Sequence, residues 1–118
     1  MKSDNIIALK SFDFALKIIK LYVYLKQNNE FIISKQIVRS GTSIGANIEE
    51  AIAAQSKKDF ISKMSIASKE ARETKYWLRL LSESQIVRID IAIYLEEIEH
   101  IINILTKIIK TSQENNSN

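Results

Sequence analysis

Apolar residues recur in the second half of this chain at alternating spacings of four and three, which is the period of an amphipathic α-helix. The first such seam consists of Phe60, Met64, Ala67, Ala71, Thr74, Leu78 and Leu81. The second consists of Ile91, Leu95, Ile98, Ile102, Leu105 and Ile109. Small residues in the middle of the first seam allow close packing, so the two patterns predict helices that pack lengthwise against their neighbours.

Polar connections divide the chain into four predicted helices and a polar tail that we expect to fray. The helices cover about 11–27, 34–54, 57–82 and 89–111, and the tail covers 112–118. Ser11 and Ser34 are candidate N-caps of the first two helices. Ser56 and Asp59 have the S-x-x-D form of a capping box, and Asp90 is an acid at the start of the fourth helix. This order of elements predicts one all-α domain over residues 1–118, folded as an antiparallel up-down four-helix bundle.

The first predicted helix is apolar around much of its circumference. One face contains Phe14, Ile18, Leu21 and Leu25, and it is widened by Phe12, Ile19, Tyr22 and Val23. A face this wide indicates contact with two neighbours, one of them in another subunit. We therefore expect a homo-oligomer, with apolar faces of the first and fourth helices available for packing within the bundle and between subunits.

The segment from Arg39 to Ala51 departs from this simple pattern because it contains both glycines of the chain, Gly41 and Gly45. Two glycines one turn apart either admit a neighbouring helix closely or permit a kink, and we favour a kink near Gly45. A polar stripe, defined as Arg39, Ser43, Asn47 and Glu50, follows one face of the same helix.

We interpret the polar stripe as a set of groups that satisfy one another and the backbone across a helix interface. The alternative is a ligand or nucleic-acid contact made by Arg39 and Asn47. Glu73, on the third helix, is the acid that we pair with this stripe as a hypothesis, with Arg39 as its counter-ion.

Composition limits the classes of function. The 118 residues contain no cysteine and no proline, and 46% of them are hydrophobic. The lack of cysteine excludes disulfides, thiolate metal sites and cysteine nucleophiles, and it is typical of a reducing compartment. The N-terminus does not resemble a signal peptide, and no window approaches about 18 uncharged apolar residues. We expect a cytoplasmic protein with no membrane partner.

The net charge is only +3, but the bases are concentrated on the third predicted helix. When the helix is plotted at about 100° per residue, four of its bases fall within about 80°, on the side away from the apolar seam. They form the basic stripe, defined as Lys58, Lys69, Arg72 and Arg79. It is either a solvated face or a surface that follows nucleic-acid phosphates. Tyr76 lies among these bases and either packs or stacks on a base.

No catalytic constellation is visible in the sequence. His100 has no second histidine or cysteine to complete a metal site. The adjacent carboxylates Glu49–Glu50 and Glu96–Glu97 point in different directions, so neither forms a general acid/base pair. The segment G-T-S-I-G-A-N from Gly41 lacks the Lys-Ser/Thr ending of a phosphate loop. We therefore expect a non-enzymatic protein with no cofactor and no metal.

The segment S-K-Q-I-V-R-S-G-T-S-I-G-A-N-I-E-E-A-I-A-A-Q-S-K-K-D-F, together with S-I-A-S-K-E-A-R-E-T-K-Y-W-L-R-L-L, resembles a bacterial four-helix-bundle family. This family was first named for proteins encoded in intervening sequences of 23S ribosomal RNA genes. The residues that carry the resemblance are Gln36, Arg39, Ser43, Ile44, Asn47, Ile48, Glu50, Phe60, Ala67 and Glu73. The departures from the family pattern are Val38, Gly45, Glu49 and Ala51.

The resemblance implies a four-helix bundle, a ring-shaped homopentamer and binding of RNA or DNA. It extends to the accessory protein of diversity-generating retroelements, a basic pentamer that binds nucleic acid and a partner reverse transcriptase. From charge and resemblance together, we expect a nucleic-acid-binding oligomer that contacts phosphates through the basic stripe. The alternative is a protein-interaction scaffold or an accessory subunit of a partner enzyme such as a reverse transcriptase.

Overall fold

The computed structural model describes residues 2–116, and these residues form four α-helices and no strand. The helices are α1 (Lys2–Gln27), α2 (Ile33–Ile52), α3 (Lys57–Ser84) and α4 (Ala92–Asn116). The all-α class and the number of helices are confirmed. Within this range, no helix combines the length and the apolar character that crossing a lipid bilayer requires.

Neighbouring helices run antiparallel, as the order of their contacts shows. Between α2 and α3, Arg39 pairs with Glu73, and the later residue Glu50 pairs with the earlier residue Lys63. Between α1 and α4, the Lys17 ammonium bonds the Glu97 carboxylate, which raises the pKa of Lys17. The earlier residue Asp4 of α1 lines a pocket with the later residue Ser112 of α4. The helices α1 and α3 lie on the diagonal of the bundle, because within the described residues no Cα atom of one comes within 8 Å of a Cα atom of the other.

Two predicted caps are wrong, and both errors concern serines that lie inside helices. Helix α1 begins well before Ser11, whose hydroxyl donates to the Ala8 carbonyl at 3.1 Å from a buried position. Ser34 does not cap α2 either, since the helix begins at Ile33. The N-cap residue is Ile32, and the donors are satisfied from two residues earlier by the Glu30 carboxylate, which accepts from the backbone N–H groups of Ile32, Ile33 and Ser34. A carboxylate satisfies these free donors and suits the positive end of the helix dipole.

The other two start signals lie where the sequence places them. The Ser56 hydroxyl accepts from the Asp59 backbone N–H at 3.0 Å, and α3 begins at Lys57. The Asp90 carboxylate accepts from the Ala92 backbone N–H at 3.0 Å, so α4 begins slightly later than predicted.

The tail predicted to fray from Ser112 is instead helical through Asn116, while 117–118 lie outside the described residues. Ser112 is buried, and it lines the same pocket as Asp4 of α1 and Ile108 of α4. The early start of α1 and the late end of α4 therefore have one cause. In an antiparallel pair, the first turns of α1 and the last turns of α4 cover each other.

Most positions of the two predicted seams are buried in one core that runs the length of the bundle. From α3 these are Met64, Ala67, Ala71, Thr74, Leu78 and Leu81. From α4 they are Ile91, just before the helix, with Ile98, Ile102 and Leu105. Phe60, Leu95 and Ile109 are partly buried at its edge.

The glycines of α2 lie where α1 approaches it closely. A Cβ atom on Gly41 would lie 2.9 Å from Ile18 Cγ2, closer than carbon atoms pack. A Cβ atom on Gly45 would lie 3.3 Å from the Ser11 hydroxyl oxygen. The helix is continuous from Ile33 to Ile52, and the predicted kink near Gly45 is not shown. Of the two roles considered for this glycine pair, close approach of a neighbouring helix is the one that these distances support.

We predict that Gly41→Ala lowers the free energy of unfolding by about 1–2 kcal/mol. Overpacking costs about 1–3 kcal/mol, and the gain in helix propensity, about 1 kcal/mol, offsets part of this cost. Ile18 is fully buried, and the atoms that the new methyl group meets are attached directly to its Cβ, so they cannot move far. Urea denaturation followed by circular dichroism at one fixed protein concentration measures the change.

Gly45→Ala is the matched control, because its methyl group meets only the Ser11 hydroxyl oxygen at a tight distance, 3.3 Å, and two Ser11 carbon atoms at ordinary van der Waals distances of 3.6 and 3.7 Å. We expect its free energy of unfolding to stay within about 1 kcal/mol of the unsubstituted protein. Ile18→Val should restore part of the stability lost in Gly41→Ala. A larger loss for Gly45→Ala than for Gly41→Ala would contradict the packing account and favour a kink.

Candidate nucleic-acid interface

The guanidinium group of Arg39 connects α2 to α3. It forms ion pairs with the carboxylates of Glu73 and Glu70, the second at 3.4 Å. Its Nε also donates to the Gln36 side-chain oxygen at 3.2 Å. The hypothesis that Arg39 and Glu73 pair is therefore correct. The Arg39 side chain points across the helix interface, with acceptors for the donors on three of its nitrogens.

Glu73 has a second partner, which the sequence analysis missed. Its carboxylate accepts from the indole N–H of Trp77 at 2.8 Å. The Trp77 ring in turn meets the Tyr76 ring edge to face, with centroids 5.1 Å apart and planes at 73°. The four-residue separation of Glu73 and Trp77 was a usable signal, because residues four apart are neighbours on a helix surface. Arg39, Glu73, Trp77 and Tyr76 thus form one connected chain from α2 to the outer side of α3.

The remaining members of the polar stripe bond to their own helix or to the adjacent helix α3. The Ser43 hydroxyl donates to the Arg39 carbonyl at 2.6 Å, and the Asn47 amide donates to the Ser43 carbonyl at 2.8 Å. Glu50 forms a 3.6 Å ion pair with Lys63 of α3. These are bonds to the backbone and across a helix interface, as the structural interpretation of the stripe requires.

A buried hydroxyl pair on the same interface was not predicted. The Thr74 hydroxyl lies 2.9 Å from the Ser40 hydroxyl, and both residues are fully buried. Each hydroxyl also reaches the carbonyl one turn earlier in its own helix, at 2.9 Å for Ser40 and 2.8 Å for Thr74. This pair satisfies both polar groups inside the core, where an unpaired hydroxyl is costly.

The four residues of the basic stripe are all exposed. Among the residues that the structure describes, no carboxylate lies within ion-pair distance of Lys58, Lys69 or Arg72. Arg79 has only a 3.7 Å pair with Glu83, and both side chains are mostly exposed. At about 1.5 Å per residue, Lys58 lies about 16 Å along α3 from Lys69, whereas successive members of the other three are at most about 10 Å apart and form the compact part of the stripe.

A cleft between α3 and α4 adjoins this compact part. Its volume is about 210 Å³, and its lining consists of Arg72, Lys75, Tyr76, Arg79, Glu99 and Ile102. Glu99 is the acid in this lining, and it pairs with Lys75 at 2.7 Å. Arg72 reaches across the cleft to the Thr106 hydroxyl at 3.5 Å. The structure therefore brings Tyr76 together with two guanidinium groups at one site.

The outer side of α1 has the opposite character. Leu9, Phe12, Leu16, Ile19 and Val23 lie at spacings of three and four and are 44–68% exposed; we call them the α1 apolar seam. Beside it runs a groove of about 300 Å³ between α1 and α2. Because α1 and α3 lie on the bundle diagonal, the α1 apolar seam and the basic stripe face away from each other.

The described residues hold no group of three or more histidines, cysteines or carboxylates that could bind a metal ion. His100 is exposed and lines a shallow pocket of mixed charge with Lys10, Asp13, Lys17 and Glu97.

Comparison with known proteins agrees with this architecture. The family model of the 23S rRNA-intervening sequence protein matches residues 3–107. A crystal structure of a protein with unknown function from the S23 ribosomal protein family of Bacteroides thetaiotaomicron VPI-5482 has 49% sequence identity and a TM-score of 0.87. The alignment covers 92% of this chain and 98% of that one. No curated protein matches the chain.

We predict that Glu73→Ala shifts the fluorescence of Trp77, the one tryptophan of the chain, to longer wavelength. The substitution removes the acceptor of the indole N–H and the partner of Arg39, so the ring loses its orientation and becomes more hydrated. The expected loss of stability is about 1–2 kcal/mol, because each of these hydrogen bonds contributes about 1 kcal/mol. Emission spectra and urea denaturation measure the two effects.

Glu73→Gln is the matched variant, since its amide oxygen still accepts from Trp77 while the charge is lost. We expect near-normal emission and a loss of at most about 1 kcal/mol, as for an exposed ion pair. If Glu73→Ala left the emission unchanged, the Glu73 hydrogen bond would not hold the Trp77 ring.

Proposed function

The chain belongs to the 23S rRNA-intervening sequence protein family, and from this premise we propose that it is a non-enzymatic homo-oligomer that binds RNA or DNA through the basic stripe of α3. The observation that carries the proposal is the exposure of the basic stripe and its shortage of carboxylate partners. Its four cations are exposed, and three of them have no carboxylate partner among the described residues. Cations in this state are available to replace the counterions of nucleic-acid phosphates. Such contacts position a strand without reading its sequence.

Oligomerisation is the second part of the proposal, and the α1 apolar seam supports it. The five large apolar side chains of this seam form a surface suited to packing against a second copy of the chain. The resemblance to the family implies five subunits in a ring. Packing through α1 leaves α3 uncovered, because the two helices lie on opposite sides of the bundle. Each added subunit then contributes another basic stripe to the same particle.

Neither the family description nor that of the solved relative names a catalytic activity. The ionisable side chains nearest the stripe bond to one another: Arg39 to Glu73 and Glu70, and Lys75 to Glu99. These pairs stabilise the helix interfaces, and we assign them no role in a reaction. A cytoplasmic location, expected from the cysteine-free sequence, remains part of the proposal.

A protein-interaction scaffold, such as an accessory subunit of a reverse transcriptase, is the second candidate, and one end of the bundle favours it. The α1–α2 and α3–α4 connections lie at the same end of an up-down bundle. That end exposes four large apolar side chains, those of Phe31, Ile32, Ile86 and Ile93. Exposed apolar groups gathered at one end are suited to docking a partner protein.

We predict that reversing the charge of Lys69, Arg72 and Arg79 to glutamate abolishes binding to a fluorescent 30-nucleotide strand. In the unsubstituted protein, the logarithm of the affinity should fall linearly with the logarithm of salt concentration, by about 0.7 per phosphate contact for a single strand. Fluorescence anisotropy over a salt series measures both. Light scattering checks that the triple variant keeps its assembly.

The control for this triple variant is Lys10→Glu, Lys35→Glu and Lys110→Glu, which has the same net charge but changes exposed lysines on other helices. It should retain most of the affinity. Equal losses in both triple variants would show that only net charge matters. An unsubstituted multimer that binds nothing at low salt would refute nucleic-acid binding and favour the scaffold.

We predict that the unsubstituted protein has a mass about five times that of the 13.5 kDa chain. Replacing Leu16 and Ile19 with serine should dissociate it, because both lie in the α1 apolar seam and are exposed in the single chain. Light scattering measures the mass, and Ile93→Ser, which removes an exposed apolar side chain outside the seam, is the control. A monomeric unsubstituted protein would contradict the oligomer.

A further inference from the structure

We infer that the cleft beside Tyr76 is a stacking site for one base of a single-stranded nucleic acid, so that the protein prefers single strands to duplexes. The inference rests on the proposed nucleic-acid binding and adds the class of strand. It depends on three features of the cleft: a fixed aromatic ring, two flanking guanidinium groups and an opening that admits a base.

The Tyr76 ring is both accessible and held in place. Its side chain is 54% exposed, although a tyrosine on a bundle surface gains by packing its ring. The edge contact with Trp77 orients the ring, and the hydrogen bond from Trp77 to Glu73 fixes Trp77 in turn. Arg39 ties Glu73 to α2. A ring held through two helices loses little conformational freedom when a base stacks on it, which favours binding.

Two guanidinium groups flank this ring on the same face of α3. Arg72 precedes Tyr76 by one turn, Arg79 follows it by almost one turn, and residues at these spacings are surface neighbours. Arg72 makes only a long 3.5 Å hydrogen bond to Thr106, and the Arg79 pair with Glu83 is exposed and weak. Both cations are therefore free to bind the phosphates on either side of a base that stacks on Tyr76.

The cleft has the lining that a base requires. Its volume is about 210 Å³, and its lining includes the apolar side chain of Ile102 from α4. The acid at this site, Glu99, is neutralised by Lys75, so it does not repel a strand strongly. In a duplex, each base is stacked on both faces and presents only its edges in the grooves. An aromatic ring can therefore engage a base only where the strand is single or its bases are splayed out.

The test compares the full-length protein with Tyr76→Ala, Tyr76→Leu and Tyr76→Phe, using oligo(dT) and a mixed-sequence duplex of equal length. Tyr76→Ala and Tyr76→Leu should weaken oligo(dT) binding by roughly 5- to 150-fold, the range for loss of one stacked base. Tyr76→Phe should bind as the unsubstituted protein does, because it keeps the π face. Duplex affinity and the salt dependence should be the same in all four proteins, since the phosphate contacts remain.

Trp77 provides a second readout, because its ring lies 5.1 Å from that of Tyr76. Oligo(dT) should quench its emission in the unsubstituted protein, whereas the duplex should not.

Equal affinity for oligo(dT) and duplex, or normal oligo(dT) affinity in Tyr76→Ala, would overturn the stacking site and leave phosphate binding standing. Failure of the unsubstituted protein to bind either ligand would overturn both proposals. If Tyr76→Leu bound oligo(dT) as tightly as Tyr76→Phe, an apolar side chain without a π face would be sufficient for binding, which would refute stacking.

Discussion

The close packing on both sides of the middle of α2 is the constraint on which the rest of the structure depends. On one side, Gly41 has no side chain, and Ile18 of α1 occupies the space that a Cβ atom would need. On the other side, the small hydroxyl of Ser40 meets Thr74 of α3 inside the core. Because both contacts are short, they set the spacing of three helices. They also fix the antiparallel register in which Arg39 reaches Glu73.

That register links the interior to the candidate site. The ion pair of Arg39 with Glu73 and the hydrogen bond of Trp77 to Glu73 lie at the edge of the same interface. Their energetic contribution is modest because these groups are partly exposed to water. Their effect on geometry is larger, since they orient a tryptophan and, through it, the Tyr76 ring on the outer surface.

The bundle also separates two kinds of surface. The α1 apolar seam and the basic stripe of α3 belong to helices on the diagonal of the bundle, so each surface can act without blocking the other. In the proposed oligomer, copies that pack through the α1 apolar seam would leave the basic stripes outside the contact. The nucleic-acid and scaffold candidates differ only in which further surface of such a particle binds the partner.

Periodicity alone determined much of this fold. The four-and-three spacing of apolar residues on α3 and α4 identified helices whose seams are mostly buried, because that spacing places side chains on one face wherever the helix lies. The caps of α3 and α4 were equally local, since Ser56 and Asp90 bond residues two or three positions ahead. The arc of the basic stripe followed from the same helical geometry.

Only the tertiary structure decided the rest, because it depends on contacts between residues distant in sequence. Ser11 resembles a cap in isolation, but it lies within α1, where the helix meets Gly45. The last turns of α4 are polar enough to predict fraying, yet Ser112 is buried near the start of α1. Gly45 is compatible with a kink or a close contact, and the position of α1 supports the close contact. The surroundings of Tyr76 also depend on tertiary structure, since its cleft exists only where α3 and α4 meet.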